Sequence, residues 1–117
     1  MKGLLTVDLT PCITLAIGHN TETCVVDTGF SGAIYLDEHR IAQLNLPFLT
    51  SAPIALANKS EVIADVFEAN VTWFSINRRV TVIGGPAGCE TLIGMELLAG
   101  CRIELDEVSQ ELRIELL

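Results

Sequence analysis

Hydrophobic positions in this chain recur in short blocks that either alternate with polar residues or run continuously between turn-forming residues. Alternation with a period of two is typical of half-buried strands, and short continuous blocks are typical of strands buried on both faces. The blocks predict strands over 4–9, 13–17, 24–26, 33–36, 54–56, 62–67, 71–74 and 80–83. Closely spaced short strands of this kind favour an all-β barrel or sandwich.

Two segments change to helical spacing. Asp37 is a favourable N-cap, and Ile41 and Leu44 follow it on one helical face. A second helix of a turn or two is predicted after Gly94. The tail then returns to strict alternation and predicts two strands with one apolar and one charged face, over 102–106 and 112–116. We therefore expect a mainly β fold with one or two short helices.

Composition narrows the class of protein. A chain of 117 residues, 50% hydrophobic and 19% charged, predicts a single domain over residues 1–117 with apolar surface to spare for a partner subunit. A net charge of −8 disfavours nucleic acid as a partner, because that affinity depends on Lys and Arg. Asp8 ends the first apolar run too early for a signal peptide, and no run is long enough to span a bilayer. We expect a cytoplasmic protein without a membrane partner.

The cysteines and histidines do not form a metal-binding pattern. The four cysteines are far apart, without a Cys-x-x-Cys pair, and His19 and His39 lack the spacing of metal ligands. The glycine-rich segment 84–88 lacks the spacing of a dinucleotide loop and the Lys of a phosphate loop. We therefore expect buried, reduced thiols at the cysteines, and neither a metal nor a cofactor.

The candidate chemistry is concentrated in the segment Cys24-Val25-Val26-Asp27-Thr28-Gly29-Phe30-Ser31-Gly32. An apolar strand delivers a carboxylate into a turn with two glycines, where backbone amides can approach the acid and orient it. An ordinary turn in which Asp27 forms an Asx-turn is the alternative interpretation.

A second motif follows later in the chain: Leu92-Ile93-Gly94, then Met95-Glu96-Leu97-Leu98. Together with the Asp27 segment, it indicates more than an ordinary turn. The order and spacing of the two motifs resemble those of the retropepsin-like aspartic peptidases, in particular their small stand-alone bacterial and cyanobacterial members. The resemblance covers most of the chain. It implies a closed acid-protease barrel in which the strand carrying Ile93 packs beside the Asp27 loop.

The resemblance also implies a homodimeric endopeptidase with Asp27, Thr28 and Gly29 at its catalytic centre. Two carboxylates sharing a proton activate a water, one as base and the other as acid. The sequence has no second Asp-Thr-Gly loop, so Asp27 of a second subunit must supply the other carboxylate. The Thr28 hydroxyls are expected to link the two loops, and the terminal strands to form a shared sheet.

For the peptide substrate, the resemblance implies a flap over 54–67 with its turn at 57–60. Asn58 suits a turn position with positive φ. A plain surface hairpin is the alternative, because the expected tip has no glycine. Substrate contacts are expected from residues of the loop and the flap, whose apolar members have core positions as their alternative: Gly29, Phe30, Ser31, Ile34, Leu56, Ala57 and Asn58.

Two departures from the pattern are informative. Retroviral proteases commonly pair an Asp and an Arg at the positions held here by Ser31 and Met95, so the base of the site must be braced differently. Phe30 stands where pepsin-like enzymes place a hydroxyl, so we expect the dyad to titrate higher and activity to extend towards neutral pH.

Fold alone does not decide function. A catalytically silent dimer of the same fold that only holds a peptide or protein is one alternative, and a structural subunit is another. Asp27 discriminates between them, because only the enzyme should lose its function when Asn replaces this residue.

Overall fold

The computed structural model describes residues 1–55 and 58–117, which form ten strands and two short helices. The strands are β1 (Lys2–Leu5), β2 (Pro11–Ile17), β3 (Asn20–Val26), β4 (Ile34–Asp37), β5 (Phe48–Ala55), β6 (Glu61–Trp73), β7 (Ile76–Gly85), β8 (Leu92–Ile93), β9 (Cys101–Asp106) and β10 (Glu111–Leu116). The helices are α1 (Glu38–Leu44) and α2 (Met95–Leu98). The prediction of a mainly β fold with two short helices is confirmed.

All ten strands belong to one sheet, and part of that sheet closes on itself. Strands pair in the order β2, β3, β8, β4, β7 and β6, and β6 pairs back onto β2 through Ile17 and Val71. The closed barrel of the prediction is therefore a ring of six strands. Two arms extend from this ring: β5 pairs with β6 alone, while β1, β10 and β9 continue the sheet beyond β2.

The core lies inside the ring, because alternate residues of each strand point inward. Its fully buried members come from seven strands and from helix α2: Leu15, Ile17, Cys24, Ile34, Leu36, Val71, Val82, Ile93, Leu97, Leu112 and Ile114. Each such aliphatic side chain contributes about 1.5–3 kcal/mol when fully buried. The strands that carry the candidate site, β3, β4 and β8, are thus anchored in the most buried part of the protein.

Helix α1 forms as its sequence predicts. The Asp37 carboxylate accepts a hydrogen bond from the Arg40 amide at 2.9 Å, and Ile41 and Leu44 are buried against the sheet. The helix ends at Asn45, whose φ of 53° is left-handed, a conformation that Asn tolerates better than most residues.

Most predicted strands differ from the structure by some residues at their ends, and two of the differences have a clear physical reason. The first strand ends at Leu5 and not at residue 9, because the Thr6 amide bonds to the Thr10 carbonyl and closes a turn. The two predicted strands over 62–67 and 71–74 are one strand, β6. Its polar Glu68 and Asn70 stay in the ladder with β7, facing away from the core, and so do not interrupt it.

The four cysteines, all in the described part of the chain, are free thiols. Cys12 and Cys24 are buried as predicted, whereas Cys89 and Cys101 are half-buried, so the expectation of burial is wrong for that pair. Burial raises the pKa of the Cys24 thiol to about 12, which keeps it protonated and unreactive. In residues 1–55 and 58–117, neither helix is long and apolar enough to cross a bilayer.

Candidate active site

Strand β3 delivers Asp27 to the end of the ring, and β8 fixes its backbone there. The two strands run parallel, with Val26 opposite Ile93. The Val25 amide donates to the Thr91 carbonyl at 2.8 Å, and the Asp27 amide donates to the Ile93 carbonyl at 2.9 Å. The Asp27 backbone is therefore held by the sheet, while its side chain projects from the position directly after β3.

The loop after β3 orients the carboxylate. The Gly29 amide donates to Oδ1 of Asp27 at 2.8 Å, and the Phe30 amide donates to the Asp27 carbonyl at 3.2 Å. Asp27 is half-buried, whereas Thr28 and Gly29 are exposed. A carboxylate has about four lone-pair sites, so the Gly29 bond leaves acceptor capacity for a water or a second carboxyl group. The arrangement presents an oriented acid at an open surface.

Gly94 braces this loop from below. Its amide donates to the Ala33 carbonyl at 3.0 Å, and the next amide, of Met95, donates to the Phe30 carbonyl at 2.8 Å. A Cβ at Gly94 would lie 2.4 Å from the carbonyl oxygens of both Phe30 and Gly32. Only glycine allows the two backbones to approach this closely. The predicted packing of the Ile93-Gly94 segment beside the Asp27 loop is confirmed.

Phe30 packs inside the loop. A Cβ at Gly32 would meet the Phe30 ring at 2.6 Å, and the ring meets Tyr35 edge to face at a centroid distance of 6.1 Å. Phe30 is half-buried by these contacts, while Ser31 beside it is exposed. Of the loop residues predicted to contact a substrate, Gly29 and Ser31 thus lie open at the surface and Phe30 offers part of its ring.

The remaining predicted contacts are placed differently. Ile34 has no exposed surface and belongs to the core, so its predicted role as a pocket wall is corrected in favour of the core alternative. Leu56 and Ala57 lie outside the described residues. Asn58 is exposed, and its side chain accepts from the Ser60 amide at 3.1 Å as in an Asx-turn. The next residue, Lys59, has a positive φ of 67°.

The described part of the segment predicted as a flap belongs to a hairpin of β5 and β6. The two strands pair from Phe48 opposite Phe67 to Ala55 opposite Glu61, so the arm is longer than the predicted segment. Sequence reasoning missed two acceptors of the brace, the carbonyls of Gly32 and Ala33. The glycine at position 32, in a loop that another strand must approach, is the signal that identifies the first of them.

Two solved structures resemble this chain in fold. A retropepsin-like aspartic protease from Rickettsia conorii superimposes with a TM-score of 0.72 at 19% sequence identity, covering 96% of this chain and 86% of that chain. The chain has the retropepsin-like fold. EIAV protease, in a complex with an inhibitor, superimposes on this retropepsin-like chain with a TM-score of 0.66 at 13% identity, covering 80% of this chain and 88% of that one. No protein-family model matches the sequence, and no curated protein matches it.

The first of these structural neighbours is an aspartic protease, and the second is a protease. At such low identity the likeness establishes the fold alone, and the chemistry must be argued from the residues of this chain. The relevant residues are the Asp27 loop, the strand that carries Ile93, and Gly94, which braces the loop.

Proposed function

We propose that the protein is an aspartic endopeptidase that acts as a homodimer, with Asp27 of each subunit forming the catalytic pair. The observation that carries the proposal is the Asp27 carboxylate itself. It is oriented by the Gly29 amide at 2.8 Å, sits on a backbone braced by Gly94, and lies in an aspartic protease fold. An Asx-turn with only a structural role does not need the close backbone contacts that Gly94 makes with the carbonyls of Phe30 and Gly32.

The chemistry requires a second carboxylate close to the first. Two carboxyl groups about 3 Å apart cannot both ionise, so the pair retains one proton, and its titration belongs to the pair. The charged member takes a proton from a water that attacks the peptide carbonyl, and the protonated member stabilises the developing oxyanion. Two-fold symmetry would supply both members from one loop sequence.

The surface at the end of the sheet supports a dimer. β9 is an edge strand in the described chain, and edge strands present unpaired backbone groups that a second chain can use. If two copies of β9 pair antiparallel with Ile103 on the two-fold axis, Arg102 lies opposite Glu104 of the other subunit on both sides. Opposite charges in register favour this pairing. Leu105 and Leu116 are about half exposed and would gain cover.

The Asp27→Asn variant provides the test. Wild type and variant are incubated with an unbiased peptide mixture from acid to neutral pH, and products are identified by mass spectrometry. We expect cleavage by the wild type, and a loss of at least about a hundredfold in the variant, since acid–base groups contribute this much or more. Glu107→Gln is the matched control, because it removes one negative charge from an exposed turn.

A catalytically silent peptide-binding dimer is the second candidate. It is compatible with the bond from the Gly29 amide to Asp27, because an ordinary Asx-turn forms the same bond without a catalytic role. Sedimentation of wild type and Asp27→Asn shows whether each is dimeric, and the cleavage assay on the same samples then separates the two functions. Absence of cleavage by a wild type that is dimeric would replace the peptidase by the binding module.

We also propose that the protein acts in the cytoplasm. The free state of its four thiols supports a reducing compartment, where disulfides are rare.

A further inference from the structure

A cleft separate from the Asp27 loop lies between the flap hairpin, helix α1 and the end of β7. Its volume is about 330 Å³, within the range of about 300–1,000 Å³ that is common for ligand pockets. Neither Asp27, Thr28 nor Gly29 lines it. Polar and apolar groups share its surface about equally, and the large apolar side chains come from α1, both strands of the hairpin and β7: Ile41, Ile54, Val62, Phe67 and Ile83.

The charges of this cleft have one sign. Glu38 and Asp65 line it, and among the described residues no Lys or Arg does. The Asp65 carboxylate accepts a hydrogen bond from the Ser51 hydroxyl at 2.8 Å, which fixes its position on the hairpin. Both acids are exposed at the rim, so they remain hydrated when the cleft is empty. An occupant must therefore combine an apolar body with a positive end.

The position of the cleft connects it to the candidate active site. Tyr35 lines the cleft and packs against Phe30, whose amide bonds to the Asp27 carbonyl. Ile54 and Val62 face each other across the hairpin ladder, one pair before the described ladder ends at Ala55 and Glu61, so an occupant touches the expected flap near its outer end. The cleft thus lies one layer of side chains behind the loop.

We propose that this cleft is a binding site for an arginine side chain of a peptide or protein. The aliphatic stem of arginine would lie along Ile41 and Phe67, and the guanidinium would reach the Glu38 and Asp65 carboxylates. Guanidinium groups are more weakly hydrated than ammonium groups and match carboxylates in a planar fork, which favours arginine over lysine. The proposal rests on the proposed function for its peptide partner, because the cleft lies beside the expected flap, but binding of the arginine does not require hydrolysis.

A small probe tests the site directly. The full chain, labelled with ¹⁵N, is titrated at low salt with n-pentylguanidinium and, in parallel, with n-pentylurea, which has nearly the same shape without the charge. We expect the guanidinium to shift the amide signals of Gly84 and Gly85, which line the cleft, and to bind about fivefold or more tightly than the urea. Raising the salt should weaken the guanidinium alone.

Variants assign the effect to the two acids. Glu38→Gln and Asp65→Asn should each weaken guanidinium binding several-fold, and Glu107→Gln, in the turn before β10, should leave it unchanged. Asp27→Asn should also leave it unchanged, so this result is independent of peptidase activity. Equal binding of the two probes, shifts that map elsewhere, or variants indistinguishable from wild type would each overturn the proposal.

Discussion

Replacing Gly94 by alanine tests how the candidate site is held together. The added Cβ would lie 2.4 Å from the carbonyl oxygens of Phe30 and Gly32 and 2.5 Å from the Phe30 ring. Two of these three contacts are with backbone, which cannot move aside as a flexible side chain can. The Asp27 loop and the segment after β8 must therefore separate.

The cost can be worked out from what that separation breaks. The Phe30 carbonyl accepts from the Met95 amide at 2.8 Å, and the Gly32 carbonyl accepts from the Glu96 amide at 3.3 Å. Losing two such bonds costs about 1 kcal/mol each, and overpacking adds about 1–3 kcal/mol. Alanine lowers the entropy of the unfolded chain, which returns about 0.4–1 kcal/mol. We expect a net destabilisation of about 2–4 kcal/mol.

Trp73 makes the measurement direct, because it is the single tryptophan of the chain and is 3% exposed. Urea unfolding followed by its fluorescence, at one fixed protein concentration, gives the free energy of unfolding of each variant. Gly29→Ala is the matched control. Its Cβ would meet only the Asp27 carboxylate, at 3.2 Å, and we expect a change below about 1 kcal/mol. A Gly94→Ala protein as stable as Gly29→Ala would refute the reasoning.

Three other perturbations test particular contacts. Arg40→Leu leaves the Glu22 carboxylate, which is 5% exposed, without its ion-pair partner at 3.6 Å. By urea unfolding, this change should lower the free energy of unfolding by about 1–3 kcal/mol. Arg102→Leu is the control, and because its ion pair is exposed it should lower that free energy by less than about 1 kcal/mol. The Arg40 amide holds the pKa of Asp37 below its ordinary value of about 3.9. The urea midpoint of wild type should therefore exceed that of Asp37→Ala above that pH, and the difference should vanish as pH falls through the lowered pKa. Met95→Ala should change the free energy of unfolding by less than about 1 kcal/mol, because the side chain is 48% exposed and only its backbone amide serves the brace.

The sequence predicts those parts of the fold that local rules decide. Helix α1 follows from the capping residue Asp37 and from Ile41 and Leu44 at helical spacing. These signals lie close together in the sequence, so local rules are enough to find them. The strands β9 and β10 follow from strict alternation. Ring closure between β2 and β6 could not be predicted in this way, because it joins residues 16–17 to 71–72 and depends on the whole sheet.

In the candidate site, too, local signals could be predicted from the sequence and long-range contacts could not. Asp27 and Gly94 are identifiable because each stands in a short motif next to an apolar strand. Ile34 was misassigned although alternation contained the answer: Ile34 and Leu36 share one face of β4, and both are fully buried. The acidic cleft was missed because Glu38 and Asp65 come from separate elements, and only the packed fold brings them to one rim.

Main-chain bracing explains how the chain dispenses with the charged pair that the retroviral pattern places at the base of the site. Three amides in succession, of Gly94, Met95 and Glu96, donate to carbonyls of the segment 30–33 at 2.8–3.3 Å. These bonds need no particular side chain at position 31 or 95, where Ser31 and Met95 are both exposed. An ion pair at these exposed positions would contribute only about 0–1 kcal/mol. The absence of both charges together is therefore consistent with a site whose geometry is carried by backbone contacts, with Gly94 as the residue that cannot be exchanged.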